Sequence, residues 1–212
     1  MVWMVALGSS ISHTKSGHAD KEVAKNGRIT AVPAAVVGTG IAWLIVEHVS
    51  DMVIKALAAI ILIFVIERNL RGNVNLLGKK SDLMAYRKWC SFGGLASGIL
   101  GIGGGAIYVT LHQKLLGMED HKSAGTSYMI GAAVVPVALI SHAIIHRNIS
   151  SIIANNGWMF VLLMPLLAFS AAFIGARFAI KHLPVKMIRV MFMIAVSGAL
   201  LKYLWDIGEN TF

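Results

Sequence analysis

Long runs with few or no charged side chains alternate along the chain with short basic segments. A helix needs about 20 apolar residues to cross about 30 Å of hydrocarbon. Six runs approach or exceed that length: Ile29–Val46, Met52–Ile66, Trp89–Gln113, Ser123–His146, Asn148–Ala176 and Met187–Trp205. The pattern therefore predicts an all-α polytopic membrane protein, with the lipid bilayer as its main partner.

Composition and charge exclude the soluble alternatives. Hydrophobic residues make up 57% of the 212 residues and charged residues 14%, against about 25% charged residues in a typical soluble domain. A soluble fold with this balance could not cover its surface with polar groups. The net charge of +9 would suggest nucleic acid in a soluble protein. Here the basic residues lie mostly between apolar runs, where they orient a membrane protein, so no nucleic-acid partner is expected.

The front and rear of the chain share a weak repeat. Ile11–His13 recurs as Ile140–His142, 129 residues later, and Asn26–Gly27 recurs as Asn156–Gly157, 130 residues later. Further matches follow in the same order with a slowly growing offset, as small insertions would give. We interpret the pattern as a duplication of helical halves.

The duplication divides the chain into three parts. Residues 1–72 form the rear part of a first repeat, residues 73–88 a basic cytoplasmic linker, and residues 89–212 a second, complete repeat. The second copy has about 50 residues before its Ile-Ser-His motif, and the first has ten. The front of the first repeat is therefore expected to be missing. Two explanations stay open: a fragment of a longer protein, or a reduced protein that completes itself by pairing as a homo-oligomer.

A block of seven glycines within residues 93–105 is the clearest motif. Gly94 and Gly98, and also Gly101 and Gly105, have the four-residue spacing of close helix packing. The three consecutive glycines that end the block also weaken a helix, and unwound backbone is tolerated at membrane depth only where it is buried or lines a cavity. A helix resuming after the break would direct its positive end at it and could bind an anion. Packing and anion binding stay open as alternatives.

Hydroxyl and imidazole groups follow the glycine block. The hydroxyls of Thr126 and Ser127 could donate to an oxyanion or bond back to helical carbonyls. Ser127 and His142 are fifteen residues apart, about 22 Å on one helix, which is too far for a catalytic pair. His142 and His146 have a metal-ligand spacing but no acidic residue or cysteine nearby, so packing is the preferred interpretation. We expect no enzyme activity, no metal and no cofactor.

The basic residues indicate how the glycine segment sits in the membrane. If residues 89–113 cross once, twelve Lys and Arg residues lie on one side and seven on the other. If the segment enters and returns on the same side, the division becomes sixteen to three, with Lys55, Arg147 and Lys202 alone outside. The positive-inside rule favours this re-entrant path and a cytoplasmic loop Arg68–Lys88. It would also make the halves inverted relative to each other.

The motifs together resemble those of the sulfite exporter TauE/SafE family. They are the GLASGILGIGGG block at residues 94–105, the Ala-Gly-Thr-Ser sequence at 124–127 and the segment from Asn156 to Pro165. The resemblance covers residues 89–205 well. It implies duplicated halves, each with a glycine-rich motif followed by Gly-Thr-Ser. The first-half copies of both motifs are absent here, so the chain resembles an N-terminally truncated member.

The resemblance also implies a function. We expect a secondary carrier or uniporter for sulfite, sulfonates or related small sulfur anions, located in the plasma membrane. The alternatives are a non-transporting fragment or assembly subunit and, less favoured, an intramembrane enzyme. The expected substrate-binding residues are Gly101, Gly103, Gly104, Gly105, Thr126 and Ser127.

Overall fold

A computed structural model describes residues 1–48, 51–70, 83–101, 103–146, 154 and 157–209. These residues form helices and contain no strand. The helices are α1 (Val2–Lys15), α2 (Lys21–His48), α3 (Asp51–Leu70), α4 (Leu83–Leu100), α5 (Gly105–Leu115), α6 (Asp120–His146), α7 (Trp158–His182) and α8 (Val185–Glu209). The predicted all-α class is confirmed.

Within the part of the chain that the structure describes, four helices are long and apolar enough to cross a bilayer. Their candidate spans are Lys21–Ile45, Asp120–Ile145, Trp158–His182 and Lys186–Glu209. These spans correspond to four of the six predicted runs, in α2, α6, α7 and α8, although the first residues of the Asn148–Ala176 run lie outside the described part. Another predicted run, Met52–Ile66, lies within α3. A polytopic membrane protein is therefore confirmed.

The remaining run, Trp89–Gln113, is broken at its glycines, as predicted. Helix α4 ends at Leu100, and α5 begins at Gly105. Between them Gly101, Gly103 and Gly104 have φ angles of 68°, 79° and 63°. This left-handed region is open to glycine at little cost and disfavoured for residues with a Cβ. These three glycines thus end one helix and allow the next to start in a new direction.

Helix α5 runs back along α4, so the two helices form a hairpin. The Tyr108 ring on α5 packs against Gly93 on α4. Further from the break on both helices, the Tyr86 hydroxyl and His112 Nε2 lie 3.0 Å apart. These two levels of contact require antiparallel helices. The structure therefore shows the re-entrant arrangement that the distribution of basic residues favoured, rather than a single crossing.

Close packing between α2 and α4 sets the depth of the hairpin. Side chains at Gly94 and Gly98 would collide with the carbonyl oxygens of Ala31 and Ala35, so the packing interpretation is confirmed for this glycine pair. Gly98 also lies against Thr39, and residues 35–39 are midway along the 28-residue helix α2. The turn of the hairpin consequently lies near the middle of the bundle.

Helices α1 and α6 have the relative direction that inverted halves would require. On α1 and α6, Ala6 lies near Gly131 whereas His13 lies near Gly125, so these helices are antiparallel. In the sequence repeat, α1 corresponds to the end of α6. Corresponding helices run in opposite directions when the two halves are inverted. The boundaries of the repeats at residues 72 and 88 stay a prediction.

One end of the bundle collects most of the basic residues. Contacts at this end join α2 to α6 through Asp20 and Lys122, 3.2 Å apart, and α6 to α8 through Asp120 and Arg189, 3.0 Å apart. The basic residues in or beside the helix ends that meet here are Lys15, Lys21, Lys25, Arg28, Arg87, Lys88, Lys114, Lys122, Arg177, Lys181, Lys186 and Arg189. The opposite end has Lys55 beside Asp206 at 4.0 Å. Part of the predicted cytoplasmic loop, residues 71–82, lies outside the described residues.

Candidate functional site

A cavity of about 770 Å³ lies between α5, α6, α7 and α8, with the end of α3 at its margin. Most of its wall is apolar, from side chains such as Val109, Phe178 and Met191. The polar side chains that line it are Asn69, Gln113, Asp120, Ser127, Tyr128 and Arg189. A mostly apolar cavity with a few convergent polar groups is the usual form of a small-molecule site.

Gly105 and Ser127, two of the predicted site residues, meet in the wall of this cavity. The Ser127 hydroxyl donates to the Gly105 carbonyl oxygen at 2.9 Å. Gly105 is the first residue of α5, and the preceding Gly104 makes no side-chain cap. The first N–H groups of a helix have no partner within it. The cavity therefore reaches a positive helix end beside a hydroxyl group.

The other predicted glycines shape the break but do not line the cavity. A Cβ on Gly103 would lie 3.0 Å from a methyl group of Val135, and one on Gly104 would lie 2.8 Å from the Gly93 carbonyl oxygen. Gly101 is exposed, with open space where a side chain would project. These three glycines therefore determine the backbone conformation of the break. Of the predicted glycines, Gly105 is the one that lines the cavity.

Thr126 faces away from the break, although it is the neighbour of Ser127. Its hydroxyl accepts the Asp20 N–H at 2.9 Å and donates to the Lys122 carbonyl oxygen at 2.7 Å. The side chain is fully buried. These contacts hold the connection between α1 and α2 against the start of α6. The structure brings Gly105 and Ser127 together and leaves Thr126 at a separate junction.

Asp20 completes that junction. Its carboxylate accepts the N–H groups of Glu22 and Val23, both at 3.1 Å, and so caps the start of α2. The bond from Val23 is the main cause that holds the pKa of Asp20 below its ordinary value, against partial burial, with Lys122 and the Glu22 N–H adding to it. A charged carboxylate at this helix start is favourable because of the helix dipole.

An ion pair lies at the end of the cavity opposite the hairpin turn. A terminal nitrogen of Arg189 donates to both carboxylate oxygens of Asp120, at 3.2 and 3.0 Å, and Gln113 donates to one of them at 2.8 Å. Sequence reasoning did not select these residues. The available signal was the position of Arg189 near the start of an apolar run. Its partner Asp120 could not be recognised from the sequence, because it is 69 positions away.

His142 takes part in helix packing. Its Nε2 donates to the Gly98 carbonyl oxygen at 3.0 Å, near the end of α4. The side chain of His146 lies outside the described residues. In the part of the chain that the structure describes, no group of three or more His, Cys, Asp or Glu side chains could hold a metal ion.

Membrane-length helices around a re-entrant glycine hairpin, with a cavity reaching its turn, are features found in membrane transport proteins. A family model described as Sulfite exporter TauE/SafE matches residues 1–203. The chain therefore belongs to the TauE/SafE family, which is a family of transporters. No significant match was found among curated proteins or solved structures.

Proposed function

We propose that the protein carries sulfite, sulfonates or related small sulfur oxyanions across the plasma membrane, as a secondary carrier or uniporter. The observation that carries the proposal is the cavity that reaches the hairpin turn, with Gly105 and Ser127 in its wall. Family membership supports an anion of this class. The proposed binding residues are Gly105 and Ser127, with Gly101, Gly103 and Gly104 holding the break open.

The chemistry of this site suits an anion that must be released again. The first N–H groups of α5 carry partial positive charge, which attracts an anion without a buried lysine. The apolar wall lowers the local dielectric and strengthens that attraction. The Ser127 hydroxyl, which now donates to Gly105, could rotate and donate to the anion instead. Neutral donors of this kind hold an oxyanion less tightly than a full countercharge.

The energy source is part of the proposal. The sequence contains no motif that suggests an ATP site, and we propose that transport follows an ion gradient or the gradient of the anion itself.

The decisive experiment is flux of sulfite and several sulfonates in proteoliposomes, for the parent and for Ser127→Ala. Loss of a donor to a charged group costs about 1.5–3 kcal/mol, which predicts a roughly ten- to hundredfold weaker apparent affinity. Ser141→Ala is the matched control. Ser141 lies on the same helix and also donates to a carbonyl oxygen, that of Val137 at 2.8 Å, but it does not line the cavity.

Two results would contradict the proposal. If both Ser127→Ala and Ser141→Ala bind and transport the anion like the parent, Ser127 does not belong to the binding site. If the parent moves no sulfur oxyanion at a matched protein density, the substrate class is wrong. Both variants are first compared by thermal unfolding, so that a loss of flux is not mistaken for a loss of folded protein.

A further inference from the structure

The charged end of the cavity is the ion pair of Arg189 on α8 with Asp120 on α6. We propose that Arg189 is the first residue to bind an anion entering the cavity, and that Asp120 is an internal competitor which the anion displaces. The inference rests on the proposed function, since the entering anion is taken to be its substrate. It adds a second anion position to the one at Gly105 and Ser127.

The geometry leaves Arg189 able to exchange partners. Its bonds to Asp120 use one terminal nitrogen, whereas a guanidinium group carries five N–H donors in a fixed fork that matches oxyanions. The Arg189 side chain is 44% exposed, and that of Asp120 is 14% exposed. The arginine is therefore the accessible partner, and the carboxylate is the sheltered one.

Asp120 keeps other stabilising contacts when the arginine leaves. Gln113 continues to donate to its carboxylate at 2.8 Å. Asp120 is also the first residue of α6, where a negative charge is favoured by the helix dipole. The carboxylate is thus not left as an uncompensated buried charge. A partly exposed ion pair of this kind is weak, so an oxyanion of comparable charge can compete with it.

A continuous path joins the two anion positions. Asp120 and Ser127 are seven residues apart on α6, which places them on one face about 10 Å apart. The small side chain of Ala124 lies between them in the cavity wall. Among the described residues that line this cavity, Arg189 is the one cationic side chain. An anion attracted to Arg189 therefore lies at the start of the route to Gly105.

Lys186 provides the comparison that separates a specific contact from general surface charge. It lies three residues before Arg189 on α8, is exposed, and does not line the cavity. Removing its charge changes the electrostatic potential at this end of the protein by a similar amount. The specific contact with an anion in the cavity is unaffected.

The experiment measures binding of sulfite and of iodide to the purified full chain in detergent, by anion-dependent thermal shift at constant ionic strength. Arg189→Gln is expected to weaken sulfite binding roughly tenfold or more. Arg189→Lys keeps the positive charge but lacks the forked N–H donors of the guanidinium group, so its loss of sulfite affinity should be smaller. Asp120→Asn removes the competitor and should strengthen binding about two- to fivefold. Lys186→Gln should stay within about twofold of the parent.

The Asp120→Asn variant keeps the test decisive if Arg189→Gln does not fold, because tighter binding cannot result from misfolding. The proposal is overturned if Asp120→Asn does not bind more tightly, if folded Arg189→Gln binds like the parent, or if Lys186→Gln loses as much as Arg189→Gln. Normal sulfite flux with any of these results leaves the proposed function standing.

Iodide separates the remaining cases, because it tests the cation without requiring a sulfur oxyanion. If the parent neither binds nor moves sulfite but binds iodide through Arg189, the proposed function fails and the anion position stands. If the parent binds neither anion, both are overturned.

Discussion

Gly101 and Gly104 have nearly the same backbone conformation but different surroundings. Their φ angles are 68° and 63°, yet a Cβ at Gly101 would meet open space, whereas one at Gly104 would meet Gly93 and Tyr108. The pair separates the cost of the left-handed conformation from the cost of overpacking.

We predict that Gly101→Ala lowers the free energy of unfolding by about 1 kcal/mol, for the left-handed conformation alone. Gly104→Ala should lose about 2–4 kcal/mol, since overpacking adds about 1–3 kcal/mol. Chemical unfolding of both variants in detergent measures the difference. Equal losses would show that the turn does not pack against α4 as described.

At the scale of single residues, the sequence predicted a break at the glycine block, but not that Gly101 takes part in it while Gly105 is helical, nor which side chains line the cavity. Thr126 and Ser127 were selected together as a motif. Successive helical residues point about 100° apart, so one faces Asp20 and the other faces Gly105. Which of two adjacent hydroxyls faces a site depends on the rotation of the helix within the bundle.

At the scale of elements, helices α2 and α4 pack closely together. Gly98 allows the backbones to approach so closely that its missing side chain would overlap the Ala35 carbonyl oxygen. Without a hydrophobic force between helices in lipid, such close packing is a main source of association. The same contact fixes the depth of the hairpin turn and hence the position of Gly105.

We predict that Gly98→Ala forces α2 and α4 apart and lowers the free energy of unfolding by about 1–3 kcal/mol. Gly40→Ala, on α2, is the control, because nothing lies within 4 Å of the added Cβ. Alanine should there stabilise the helix by about 0.5–1 kcal/mol. Thermal unfolding midpoints that move in opposite directions would support the contact, and a stable Gly98→Ala variant would contradict it.

At the scale of the whole molecule, the distribution of charge and the path of the chain agree. The hairpin places the start of α4 and the end of α5 at the same end of the bundle as the starts of α6 and α8. The basic residues of these ends accordingly lie together, with Lys55 and Lys202 toward the other end. The positive-inside rule predicts that the richer end faces the cytoplasm.

We predict that single cysteines on α8 report opposite sides of the membrane. Lys202→Cys should react with an impermeant thiol reagent in intact cells, and Lys186→Cys only after permeabilisation. Cys90 can remain in place, because it is fully buried. Reaction at Lys186→Cys from outside would refute the proposed orientation, and equal protection at both positions would show that α8 does not expose Lys202.

The sequence by itself determined the long apolar helices, the break and the charged end, because each depends on local properties. Apolar runs of membrane length form helices wherever water is absent, and consecutive glycines end a helix without outside help. The charge count also favoured the re-entrant path. Only the tertiary structure decided how Gly94 and Gly98 are used, which hydroxyl faces the cavity, and that Asp120 meets Arg189. The reason is that these contacts join residues far apart in the chain, so they depend on how each helix is rotated and placed against its neighbours.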